Sequence, residues 1–126
     1  MKILLRYILV SDDVRTENNG KIMVIGLYGS EIIVPRLPLA LPLAFTAGII
    51  IEGEGPFDLS GRLCHCGSGE ELLTFGAAGE AQKRGAAHVP FKFPVVQFKD
   101  AGAYEVVLVV KGQEDRLTES FEVTMA

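Results

Sequence analysis

Alternation of apolar and polar positions dominates this chain. Near its end, Leu117, Phe121, Val123 and Met125 share one face, while Thr118, Ser120, Glu122 and Thr124 share the other. That period of two is the mark of a half-buried strand. Glu119 is the only charge on the apolar side. Tyr104, Val106, Leu108 and Val110 form a similar face, and the polar interval 111–116 predicts a turn joining the two strands into a hairpin. Val89, Phe91, Phe93 and Val95 alternate within residues 87–98, with Pro90 and Pro94 on the opposite face. Proline cannot donate to a ladder, so this segment is predicted to be an edge strand or to carry bulges. Phe57, Leu59 and Leu63 alternate with Asp58, Ser60 and Arg62 in a further strand. Residues 45–51 and 21–28 read as strands apolar on both faces, the latter preceded by the turn signal Asn19-Gly20. Ile32, Ile33 and Val34 form a short strand of their own.

Two segments read differently. Residues 35–42 hold Pro35, Pro38 and Pro42 and are predicted to be an extended arm, because proline fixes φ and excludes the α region before it. Residues 76–87 are mostly Gly and Ala and read as a loop or one short helical turn. No segment sustains a 3.6-residue apolar period, and there is no internal repeat. About seven to nine short strands over this length make an all-β antiparallel sandwich or small barrel. Asp100-Ala101-Gly102-Ala103-Tyr104 resembles the tyrosine corner of immunoglobulin-like domains, in which the hydroxyl bonds back to the backbone. The resemblance favours an Ig-like antiparallel β-sandwich. Val106 stands where antibody domains have a cysteine, and there is no Trp, so the antibody disulfide is not expected.

Composition narrows the setting. The 126 residues suit a single domain spanning 1–126, long enough to bury a core without a metal or disulfide staple. Lys and Arg number 12 against 16 Asp and Glu, a net charge of −4, which argues against a nucleic-acid surface. Mean hydropathy is high at +0.30. Yet the longest uncharged stretch, 37–51, is shorter than the roughly 20 residues of a membrane-spanning helix, and Pro38, Pro42 and Gly48 interrupt it. Arg6 splits the apolar N-terminal run, and Ser11-Asp12-Asp13 follows it, so it reads as a strand and not a signal peptide. Cys64 and Cys66 are no disulfide framework, and a cytoplasmic location is expected.

Candidate chemistry is sparse. Cys64 and Cys66 lie one residue apart, and with His88 they are a weak alternative metal set, since strand alternation turns His65 to the other face. A Cys–His nucleophile would need that ring within reach of a thiol. The polar stretch 11–20 reads as a loop and holds Asp12, Asp13, Arg15, Asn18 and Asn19, the preferred binding residues, with calcium as one ligand they would suit. The bland reading, turn capping and an Asp–Arg pair, competes with it. No cofactor motif is present. The strands apolar on both faces leave grease to cover, either by the 35–42 arm or by another chain.

Ser11-Asp12-Asp13-Val14-Arg15, Asn19-Gly20-Lys21, Gly26-Leu27-Tyr28-Gly29 and Ile32-Ile33-Val34-Pro35 with Pro38 resemble the N-terminal pattern of a bacterial family of small domains of unknown function. Gly102-Ala103-Tyr104 and Phe121-Glu122-Val123 match its later elements. The resemblance implies no catalytic residue. The expectation is a non-catalytic β-sandwich that binds a protein partner or assembles as a homo-oligomer. The alternatives are a small thiol or metal enzyme around Cys64, His65 and Cys66, and a ligand- or calcium-binding sandwich using the 12–19 segment.

Overall fold

The alternating segments become nine strands in a computed structural model that describes residues 2–126. They are β1 (Ile3–Thr16), β2 (Ile22–Leu27), β3 (Glu31–Val34), β4 (Leu39–Ile51), β5 (Gly55–His65), β6 (Glu71–Ala81), β7 (Gly85–Phe98), β8 (Gly102–Val110) and β9 (Arg116–Met125). The fold is all-β. A four-stranded sheet runs β2-β1-β4-β7, and a five-stranded sheet runs β3-β9-β8-β5-β6. No helix among the described residues is long and apolar enough to cross a membrane.

The inward faces meet in one core. Ile8, Val10, Phe45, Ala47 and Ile49 of the first sheet pack against Leu59, Leu63, Val106, Leu108 and Phe121 of the second. Tyr104 stands in this core against Phe98 and Phe121, and its hydroxyl donates to the Asp100 carbonyl at 2.6 Å. The backbone-anchored tyrosine expected from Asp100–Tyr104 is present. The hairpin of β8 and β9 is also found, in the register Tyr104↔Phe121 to Val109↔Arg116.

Several expectations need correction. The strands are not short: β1 and β7 each run 14 residues. The strand pairing is not wholly antiparallel, because β3 lies parallel to β9. After β2 the chain crosses to the other sheet and buries Ile32 and Val34 beside the last strand. Residues 76–87 are mostly strand, and only 82–84 form the expected loop. Gly76 to Ala81 belong to β6, and Gly85 to Ala87 open β7. Pairing with β5 imposes the strand on a stretch whose Gly and Ala have little β propensity of their own. The segment 35–42 is no arm laid over an outer face: from Leu39 it is already β4, paired with β7, and Leu37, Leu39 and Leu41 pack against the core. Prolines 90 and 94 do lie on an edge strand, but the register slips where Leu41↔Val96 gives way to Leu43↔Phe93. A one-residue slip exchanges faces. Val96 is therefore buried, and Val95, expected inside, is exposed. Met125 is likewise exposed at the end of β9.

Candidate functional site

The outer face of the four-stranded sheet holds the apolar surplus and has two halves. Its centre is β4, whose inward residues Leu43, Phe45, Ala47 and Ile49 leave Ala44, Thr46 and Gly48 pointing outward. These small residues are buried even so. Longer side chains from β1 and β7 arch over them. Tyr7, Gly48 and His88 share one row across the sheet, and the Tyr7 hydroxyl and His88 Nε2 share a hydrogen bond of 2.6 Å. A Cβ at position 48 would drive into the Tyr7 ring, so this row requires glycine. Ser11, Ala44 and Lys92 share another row. Beside it, Lys92 Nζ reaches the Asp13 carboxylate at 2.9 Å. The outward face of β4 is thus covered by its own neighbours.

The β2 side has no such roof. Met23, Ile25 and Leu27 point outward opposite Arg15, Asp13 and Ser11. Leu27 is 59% exposed and Met23 47%. Strand β2 is also an edge, and residues 22–27 contain no charge and no proline. Beyond it, the β1 edge is tied at Ile3, whose N–H donates to Gln113 Oε1 while Gln113 Nε2 donates to the Ile3 carbonyl, each at 2.8 Å.

The polar residues singled out from the sequence divide between faces. Ser11 to Thr16 are strand and not loop, so neighbouring side chains alternate. Asp13 lies on the outer face, where it also takes Arg15 Nε at 3.5 Å and the Val14 N–H at 2.9 Å. The Lys92 hydrogen bond is the main cause that holds its carboxyl below the ordinary value. Asp12 points the other way and accepts the Tyr28 hydroxyl. Burial, with Asp12 beside it, pushes that hydroxyl up to about 12. Gly26, at φ +67°, makes room, since a Cβ there would enter the Asp12 carboxylate. Asn19 caps the β1–β2 turn by accepting the Lys21 N–H at 3.1 Å, and Gly20 takes φ +85°. Asn18 sits exposed in the same turn. The five residues do not converge on one point.

Nor do Cys64, Cys66 and His88. The cysteines belong to the five-stranded sheet and its following turn, while His88 is on β7 of the other sheet. The His65 ring packs at a tilt against Tyr104 and hydrogen-bonds Ser68 Oγ at 2.8 Å and the Ala101 carbonyl at 3.0 Å. Desolvation, followed by the nearby Glu105, pushes the Cys66 thiol up, the reverse of what activates a nucleophile. Among the described residues, no group of three or more His, Cys, Asp or Glu is placed to hold a metal ion. The Tyr7–Gly48–His88 row escaped sequence reasoning. Its one signal was a glycine inside an apolar strand, which often marks a close approach.

Two solved structures share the fold. A segment of the alkylpurine DNA glycosylase AlkC from Pseudomonas fluorescens, bound to DNA containing an abasic site analog, matches 97% of this chain with a TM-score of 0.51 and 12% identity. A segment of a β-glucosidase from Listeria innocua, in complex with isofagomine, matches 98% with a TM-score of 0.53 and 12% identity. The chain spans only 30% and 16% of those proteins, so the likeness is one of fold. No curated protein matches by sequence. A family model matches residues 6–123, and on that match the chain belongs to the family of unknown function DUF6941.

Proposed function

We propose that this chain is a non-catalytic, Ig-like β-sandwich that works by assembly, pairing with a second copy of itself through β2 and the bare half of the outer face beside it. The observation that carries the reading is an edge strand without charge or proline whose outward Met23 and Leu27 are exposed. Such an edge offers unpaired backbone groups together with apolar area, and proteins that stay apart in solution blunt it. An isologous contact, β2 against β2, continues the sheet and closes without propagating. Asp13 and Arg15, paired with each other at its margin, form a polar rim. The Ig-like element of the reading is supported by the Tyr104 hydroxyl on Asp100. The free thiols Cys64 and Cys66 suit a cytoplasmic setting.

Sedimentation velocity over a concentration series tests the reading. The native chain is expected to sediment as a dimer, and the M23K/L27K double variant as a folded monomer. Ile33→Lys, at an equally exposed apolar position on the opposite sheet, should leave the dimer intact. A native chain that remains monomeric at its highest soluble concentration, with no co-purifying protein, overturns the proposal.

A further inference from the structure

The outer face of the five-stranded sheet carries a surface of different chemistry. On β5, Leu59 and Leu63 are in the core, which turns Ser60 and Arg62 outward. On β8, Val106 and Leu108 are in the core, which turns Val107 and Val109 outward. Arg62 sits beside Val107, and Val109 sits beside Arg116. The two arginines therefore flank the valines diagonally. Together with Ser60 and Thr74 they line a trough of about 410 Å³. Val107 is only 8% exposed although it points outward, so it forms a floor.

Both guanidinium groups are unmatched. Among the described residues the ion pairs use Asp13 and Glu70, and neither Arg62 nor Arg116 takes part. Asp58 and Glu105 each lie one outward position beyond the trough on their own strands, and among the described residues no carboxylate is within ion-pair distance of either arginine. In a chain of net charge −4, two uncompensated cations facing each other over an apolar floor are a local reversal of sign.

We propose that this trough binds an extended, acidic polypeptide segment of a partner protein, with one carboxylate on Arg62, one on Arg116 and an apolar side chain between them on Val107 and Val109. Two strand spacings across and two residues along put the arginine Cβ atoms about 12 Å apart. Same-side residues of an extended chain recur about every 7 Å, so residues i and i+4 lie about 14 Å apart with i+2 between them on the same side, and the reach of Arg and Glu side chains spans the difference. Guanidinium also matches carboxylate as a two-pronged donor. Nucleic acid fits less well. The one aromatic ring at the trough, Phe75, packs inward on Phe45 and Phe91, so no base-stacking platform is offered.

Fluorescence anisotropy with a labelled peptide of repeating Glu-Ser-Val-Ser units, which places Glu and Val in turn along one side of an extended chain, tests the proposal. A Gln-for-Glu counterpart and a single-stranded oligonucleotide of equal charge serve as competitors. The Glu peptide should bind, increasingly so at low salt, and the Gln peptide should not. Arg62→Ala and Arg116→Ala should each weaken binding about tenfold. Both side chains are exposed, so melting curves should be unchanged. The R62K/R116K variant, which keeps charge but loses the planar fork, should fall between. No binding, equal binding of the Gln peptide, preference for the oligonucleotide, or indifference to both alanine variants would each overturn it. The M23K/L27K variant should keep full affinity, because its changes lie on the other sheet; this separates failure here from failure of the assembly reading.

Discussion

The β7 side and the β2 side of one sheet face solve the same problem differently. Both border strands rich in apolar residues, and both end in an edge. On the β7 side the outward residues of β4 are small, and Tyr7–His88 and Asp13–Lys92 close over them. The edge itself carries Pro90 and Pro94, which remove ladder donors, and Lys92, which resists stacking against another sheet. On the β2 side the outward residues are Met23, Ile25 and Leu27, nothing arches over them, and the edge is uncharged. A chain whose doubly apolar strands were all awkward by-products of composition would not protect one half so thoroughly and leave the other bare. The contrast supports the proposal that the bare half is kept for a second copy of the chain.

The contrast can be broken most forcefully at Gly48. Gly48→Val places a branched side chain where the Tyr7 ring lies and should expel it. The hydrogen bond to His88 goes with it, and overpacking of this kind costs typically 1–3 kcal/mol. Urea unfolding should show the loss, and an apolar dye that ignores the native β7 half should now bind it. If stability and dye binding are unchanged, Tyr7 is no roof.

Thr46 gives a smaller effect of opposite sign. It lies between Leu9 and Pro90 in its row, fully buried, and its Oγ1 has no hydrogen-bond partner. A buried hydroxyl left unpaired costs roughly 1–3 kcal/mol relative to water. Thr46→Val should therefore stabilise the protein by about 1 kcal/mol, a rise of roughly 4 °C in a calorimetric melt. A fall in Tm would mean that the hydroxyl is satisfied and the roof is more open than it looks.

How much of this was legible beforehand depended on range. Alternation located the core positions of β5, β8 and β9 because each strand carries its own pattern, and Asn19-Gly20 and Asp100–Tyr104 are local signals read locally. The two prolines named the protected edge. What stayed hidden depends on pairing between distant segments. Gly76 and Gly79 look like loop residues until β5 and β6 pair, when the Phe57 ring lies over Gly79 and the Leu59 carbonyl comes close to Gly76. Val95 and Val96 exchange faces because of a slip that no periodicity announces. The proposed binding residues Asp12 and Asp13 were grouped as a loop, whereas strand geometry sends one to Tyr28 and the other to Lys92. The roof itself joins residues 81 apart in the chain.

The Asp13–Lys92 tie is the weakest element of the roof, and its signature is in pH. Lys92, first among the causes, holds the Asp13 carboxyl below its ordinary value of 3.8. As pH falls, the unfolded chain therefore takes up this proton before the folded chain does. Unfolding is then linked to proton uptake, and stability drops as pH drops. The contribution is complete above the ordinary value and is gone once pH has passed below the depressed one. Both side chains are open to solvent on one side, so the effect should be small and should shrink further in high salt. Asp13→Asn should remove this acid limb, and Lys92→Met should raise the Asp13 carboxyl toward its ordinary value. Subtracting the Tm-against-pH curve of Asp13→Asn from that of the native chain isolates the tie. A difference curve that is flat through the acid range, or unaffected by salt, would show that Lys92 does not bridge β7 to β1. The β7 half would then be closed by Tyr7 and His88 alone.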